Sequence, residues 1–313
     1  MTIILTLANN QQVIQVSDRK LTCGDGSNYE SASNKATILS CLNGNFAVGY
    51  TGIAESGNFN TQSWIIDSLI KCKNTNLEAK EIFEKFCEIA SDTFKSHKDL
   101  KRLPKKNKRL TVVFSGFFYI KGVPLFGACA ISNFQDFDIQ EDSEKAWDHF
   151  KIHAPHQTLE NKKNTDALIF RVGAWRAMTN DEDVELKDAL INNSNPNHIK
   201  HKAIGIVREM SDRPETKGTV GKDLTIIKVS AEKGGIIQSE FHPYESTWKQ
   251  IMPDQVWLLP GSTGAVANIE ISPVEKTPET SWGRTMGPNR LCHCGSNKRF
   301  ADCHGKNEKP SHK

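Results

Sequence analysis

An α+β fold, with strands and helices in separate runs and not in alternating βαβ units, is what this 313-residue sequence predicts. Three observations carry the prediction. Four short runs of β-branched and apolar residues come before any helical patterning, a long apolar hairpin occupies the middle of the chain, and a strand-like run from Leu224 to Val229 follows two stretches of helical periodicity.

Residues 2–8 and 13–17 are rich in Ile, Leu, Val and Thr, and Asn9-Asn10-Gln11-Gln12 between them has the composition of a hairpin turn. A polar loop with Gly24, Asp25 and Gly26 leads to two further strands, Lys35–Leu39 and Asn45–Gly49, around an Asn43-Gly44 turn. The period then becomes helical: Trp64, Ile65, Leu69 and Ile70 fit one amphipathic helix, and Ile82, Phe83, Phe86, Ile89, Ala90 and Phe94 a second. A basic loop, KRLPKKNKR, enters the central hairpin, which runs Leu110–Phe114, Phe117–Ile120, a Lys121-Gly122 turn and Leu125–Ile131. Residues 132–165 are polar and read as a surface excursion. A strand over Ala167–Val172 precedes Gly173, and helical patterning resumes over Ala174–Met178, Glu185–Ile191 and Ile199–Met210. Beyond Gly234-Gly235 the chain is aromatic and punctuated by Pro and Gly, and from about residue 272 it has linker composition. Phe241, Tyr244, Trp248 and Trp257 read as packing residues.

The length allows one large domain and something smaller. A hydrophobic fraction of 37% and a charged fraction of 25% are those of a soluble globular protein. With no apolar run of membrane-spanning length and no signal-peptide pattern at the N-terminus, the expected location is cytoplasmic, without a membrane partner. The net charge of +3 sits in the tail: from Arg284 onward there are seven Lys and Arg against Asp302 and Glu308. Cys23, Cys41, Cys72, Cys87 and Cys129 are scattered singly and read as small buried hydrophobes.

Cys292, Cys294, Cys303 and His304 crowd together instead. Three thiolates and an imidazole suit a tetrahedral Zn2+ with no open position, a structural site whose binding energy folds a segment too short to bury a core. With Gly295-Ser296, Lys298-Arg299 and Phe300, the segment closely resembles the SEC-C module, named for the C-terminus of the SecA translocase ATPase. The resemblance implies Zn2+ on those four residues and a protein partner, an acidic surface or a ribosome, docked through the basic tail. Nucleic acid is disfavoured, because no aromatics interleave with the tail's cations beyond Phe300.

The N-terminal residues carry a second resemblance. Thr2 opening a strand, VIQVSDRKLT, Lys35, VGYTGIAES, RLTVVFSGFFYIKGVPLFGACAI and AIGIVREMSDRPETKGTVGKDLTIIKV, in that order, resemble the proteasome-like N-terminal-nucleophile (Ntn) hydrolases. The match is to the bacterial threonine peptidases in particular, whose mature chain starts after a single Met. This implies a four-layer αββα sandwich and divides the chain into an Ntn-hydrolase domain at 1–235, an extension and linker at 236–287 and the SEC-C motif at 288–306.

It also implies a hydrolase acting on a peptide or smaller amide. Thr2 is the nucleophile once Met1 is removed, and its own α-amine is the base; a retained Met1 would leave an amide, which is none. Lys35 lowers the pKa of the hydroxyl and amine, Asp18 compensates the buried ammonium, and the Gly52 N–H stabilises the oxyanion. Asp18 lies at the family's own interval from Thr2, Lys35 one residue beyond it, and Arg19 falls where the family often carries a basic or small residue. Two features depart from the pattern. Arg171-Val172-Gly173-Ala174 offers no hydroxyl where active members carry a Ser-rich glycine turn, and Asp212 and Thr219 match the later acid and hydroxyl only loosely. An inactive Ntn-fold scaffold recruited through its tail is therefore the alternative. Self-assembly into a homo-oligomer is implied by the family alone.

Overall fold

In the computed structural model, residues 2–22, 28–30, 33–74, 76–137, 141–153, 167–192, 195–235, 237–244, 250–266 and 270–271 are described. Contacts divide the chain into two units, Met1–Ile271 and Ser272–Lys313. The second lies outside the described residues, and with it Cys292, Cys294, Cys303 and His304.

Strand alternation builds the layers of the first unit. The first hairpin is β1 (Ile3–Asn9) and β2 (Gln12–Asp18), the second β3 (Ala36–Cys41) and β4 (Gly44–Gly52). Helices α1 (Thr61–Lys71) and α2 (Ala79–Ser96) follow, then the long hairpin β5 (Leu110–Ile120) and β6 (Val123–Ser132), and the short strand β7 (Lys151–His153). The chain continues through β8 (Ala167–Gly173), α3 (Asn180–Asn192), α4 (Pro196–Ser211), β9 (Leu224–Ser230), β10 (Gln238–His242), β11 (Asp254–Leu259) and β12 (Ser262–Val266).

A five-stranded sheet has the order β8-β1-β2-β9-β10 and a seven-stranded sheet the order β7-β6-β5-β4-β3-β11-β12. On β1, Ile3, Leu5 and Leu7 face one way and pack with Leu186 and Leu190 of α3 and with Ala203, Val207 and Met210 of α4. Ile4 and Ala8 face the other way and meet Ile38, Ala47, Val113 and Phe117 of the seven-stranded sheet. That sheet turns Leu39, Phe46, Val48 and Phe114 outward against Trp64, Leu69, Phe83 and Phe86 of α1 and α2. Period-two strands with both faces apolar are thus buried on both sides, and the αββα sandwich implied above is the architecture observed. Polar groups also tie the sheets together: Gln15 Nε2 donates to Ser115 Oγ at 2.8 Å and to the Ala47 carbonyl at 3.3 Å.

Two expectations are corrected. The large unit runs beyond residue 235: β10 pairs antiparallel with β9, and β11 lies parallel to β3, with Val256 and Leu258 fully buried against α1 and α2. The extension covers sheet edges that would otherwise present unpaired backbone groups. Residues 132–165 are also more than a surface excursion, since Phe134 and Phe150 are buried and β7 pairs with β6. No helix among the described residues is long and apolar enough to cross a membrane.

Candidate active site

Strand ends from both sheets converge beside Thr2. β1 begins at Ile3 opposite Gly173, the last residue of β8; β2 ends at Asp18 opposite Leu224, the first of β9. From the facing sheet, β3 begins one residue after Lys35, and β4 ends at Gly52 opposite Leu110. Of the residues named from the sequence, Thr2, Asp18 and Lys35 come together in direct contact. Thr2 is 6% exposed, Lys35 1% and Asp18 0%.

The Lys35 ammonium donates to Thr2 Oγ1 at 2.6 Å, lies 3.5 Å from Asp18 Oδ2 and also donates to the Lys20 carbonyl. Asp18 is held by three backbone N–H groups: Ile3 at 2.8 Å on Oδ1, and Lys20 and Gly221 at 3.1 Å each on Oδ2. Two buried charges so close offset one another's desolvation only where their remaining hydrogen-bonding capacity is met. Here backbone groups meet it, and the geometry leaves one ammonium proton directed at the Thr2 hydroxyl.

Gly52 neighbours this cluster through Thr51. Strand alternation puts Phe46, Val48 and Tyr50 toward α1 and α2, and Ala47, Gly49 and Thr51 toward the other sheet. Thr51 Oγ1 accepts from Thr2 N and donates to the Thr2 carbonyl, both at 3.3 Å. At Gly52 the Ile53 N–H bonds to the Arg109 carbonyl at 2.8 Å, while the N–H and carbonyl of Leu110 both turn to Asn133. Gly52 and Leu110 are therefore a non-hydrogen-bonded pair of the antiparallel ladder, and the Gly52 N–H points away from β5. That is the side on which β3 lies, whose pairing with β4 stops at Ala36, next to Lys35. Gly52 has φ +114, and a Cβ there would stand 2.0 Å from the Arg109 carbonyl oxygen.

Gly173 is equally constrained. Its φ is +85, a Cβ would fall 1.8 Å from the Thr2 carbonyl oxygen, and the following Ala174 N–H donates to that oxygen at 3.0 Å. Residues 171–174 carry no hydroxyl, and the Thr51 hydroxyl reaches Thr2 from across the sheet interface. Asp212 and Thr219 are engaged elsewhere, Asp212 in an ion pair with Lys222 at 2.8 Å and the Thr219 hydroxyl with the Thr216 carbonyl at 2.6 Å. Thr51 and Gly221 are the residues sequence reasoning missed. Period-two alternation back from Gly52 would have found Thr51; Gly221 acts through its backbone, which no side-chain pattern signals.

Arg19 is buried beside Asp18, with its guanidinium 4.4 Å from the Phe241 ring centroid and Nε donating to the Ser33 carbonyl at 3.1 Å. Tyr244 N donates to Asp223 Oδ1 at 2.6 Å, two residues from Gly221. Of the extension's aromatics, Phe241 packs as expected. Tyr244 is exposed, its ring between Arg208 at 4.9 Å and Lys222 at 5.0 Å; Trp257 is at the surface, and Trp248 lies outside the described residues. Burial pushes the Cys41, Cys72 and Cys129 thiols up to about 12 and Cys87 to about 11, so these sulfurs stay protonated and unreactive at neutral pH. Met1 and Cys23 lie outside the described residues.

Comparison with known proteins gives two findings. Residues 289–306 match the SEC-C motif family. Among solved structures, the chain is similar to eukaryotic HslV from Trypanosoma brucei, at 11% identity and TM-score 0.42, covering 73% of this chain and 99% of that one. It is also similar to Anbu, the ancestral beta-subunit, from Yersinia bercovieri, at 11% identity and TM-score 0.44, over 77% of this chain and 87% of that one. A third likeness is to an Anbu (Gly-1) mutant from Hyphomicrobium sp. strain MC1, at 8% identity and TM-score 0.45, over 79% and 89%. No curated protein matches the chain.

Proposed function

We propose that the chain is a threonine-type Ntn amidohydrolase or peptidase, with Thr2 as nucleophile after removal of Met1. The observation that carries this is the buried Lys35 ammonium, compensated by Asp18 and aimed at Thr2 Oγ1 at 2.6 Å. A buried, backbone-supported ion pair directed at one hydroxyl is costly as a structural device and useful as a catalytic one. Thr2 Oγ1 attacks the amide carbon, and its proton passes to the freed α-amine, directly or through water. The oxygen that gains charge accepts the Gly52 N–H. Collapse breaks the C–N bond, the leaving amine takes the proton, and water then hydrolyses the Thr2 ester. Thr51 Oγ1, 3.3 Å from Thr2 N, supports the amine in place of a serine near Gly173. An acyl-type electrophile should label the purified protein on Thr2 and fail to label Thr2→Ala. Persistent labelling of that variant would overturn the assignment and direct attention to Cys23.

The tail's donor set, Cys292, Cys294, Cys303 and His304, fits a tetrahedral Zn2+. We place the SEC-C module at 288–306, extend the hydrolase domain of the 1–235 reading to residue 271, and assign the basic tail to docking on an acidic protein surface. When bound, the metal supplies folding energy to the module and no step of the reaction. A homo-oligomer and a cytoplasmic location belong to the same reading. One observation favours the inactive scaffold, the lack of any hydroxyl in residues 171–174. A purified chain that retains Met1 would decide for it.

A further inference from the structure

The loop that enters β5 carries seven Lys and Arg in residues 98–109, against the single carboxylate of Asp99. It is an ordered segment. Lys98–Lys101 form one helical turn pinned by the fully buried Leu100, Lys105–Asn107 form a second turn, and Asn133 Nδ2 holds the Lys108 carbonyl at 3.0 Å. Lys98, Lys101, Arg102, Lys105 and Lys106 are exposed, while Lys108 and Arg109 are half-buried. Among the described residues, Lys105 alone pairs with a carboxylate, Asp148 at 2.7 Å. Asp99 is committed to the Asn58 N–H at 2.9 Å, and Asp142 to Gln135 at 3.0 Å.

The loop's position gives this charge a use. Its last residue, Arg109, holds Ile53 through its carbonyl at 2.8 Å, so the cations lead directly into the strand end that presents Gly52. Residues 98–109 contain no aromatic side chain on which a base could stack. We infer that the 98–109 loop is an electrostatic docking surface for the substrate, selecting peptide or amide substrates with Asp or Glu flanking the bond presented to Thr2. This rests on the hydrolase reading above and names its substrate class. Fixed, exposed cations at the mouth of a site raise the local concentration of an anionic substrate and weaken with salt.

The test is fluorescence anisotropy with the full-length Thr2→Ala chain, a labelled peptide of alternating Glu and Ala, and its Lys and Ala counterpart. The Glu peptide should bind, the Lys peptide should not, and affinity should fall about tenfold in Lys101→Glu/Lys105→Glu/Lys106→Glu with the basic tail intact. The corresponding triple Gln variant, expected to lose severalfold, serves if the Glu variant does not fold. Unchanged affinity in both variants would overturn the inference, because the tail would then be the binding surface. So would single-stranded oligo-dT that binds more tightly than the Glu peptide and displaces it. Binding here is independent of chemistry. Failure of Thr2 to take the acyl label would sink the hydrolase reading alone, and a labelled protein indifferent to the loop's charge would sink this inference alone.

Discussion

Thr2 gains its meaning from the residues that touch it or touch its partners, and the Asp18 and Thr51 side chains can be altered singly. Asp18→Asn takes away the charge that compensates Lys35, leaving a cation 1% exposed without its counter-ion. The expected cost is about 3–5 kcal/mol in denaturant unfolding, together with loss of Thr2 labelling. Thr51→Val keeps the shape and removes the hydroxyl that lies 3.3 Å from both the nitrogen and the carbonyl oxygen of Thr2. It should preserve the melting transition within a few degrees and slow labelling roughly tenfold or more; unaltered labelling would remove Thr51 from the site. Thr2, Asp18 and Lys35 were legible in the sequence because each sits at a strand end with a recognisable neighbourhood. Thr51 is one alternating position of β4 with no motif of its own, and Gly221 acts through a backbone amide that no side-chain pattern signals.

At the scale of elements, the strands and helices before residue 230 follow from periodicity except β7, whereas β10, β11 and β12 do not. Their segments mix Pro, Gly and aromatics, and their strand character comes from the edges they complete, which is a tertiary cause. β11 is the clearest case, since its parallel partner β3 lies more than two hundred residues earlier in the chain. Ending the chain at residue 235 should therefore expose the edges of β3 and β9 and yield aggregating protein, while ending it at 271 should give a soluble, cooperatively melting unit. A second element-level test concerns α3. Burial would raise the Glu182 carboxyl, but the hydrogen-bonded Arg213 guanidinium and the Thr179 N–H and hydroxyl outweigh it and hold the group below its ordinary 4.5. A depressed carboxyl contributes stability above its unfolded value and loses it as pH falls through the folded value. Glu182→Gln should thus cost about 2 kcal/mol at pH 7, with the difference from the native protein shrinking below pH 4.5. A penalty independent of pH would show that packing, and not the ion pair, anchors the helix.

For the whole molecule, the chain joins a sandwich with a candidate nucleophile at one end of its sequence to a cysteine-rich module at the other. The sandwich and the SEC-C motif were both legible from short motifs, and the Cys and His spacing of the tail was the more specific of the two. The module should bind one Zn2+ per chain by atomic emission and release it in Cys292→Ser, while unit Met1–Ile271 keeps its melting transition. Loss of that transition with the metal would make the two units one folding entity. The central claim concerns Met1, because Thr2 cannot use its amine as a base while that residue remains. Intact-mass spectrometry of the purified full-length protein tests it most directly. The account predicts a mass lacking one methionine, with a single acyl adduct after treatment with the electrophile; a chain that keeps Met1 and takes no adduct would contradict it.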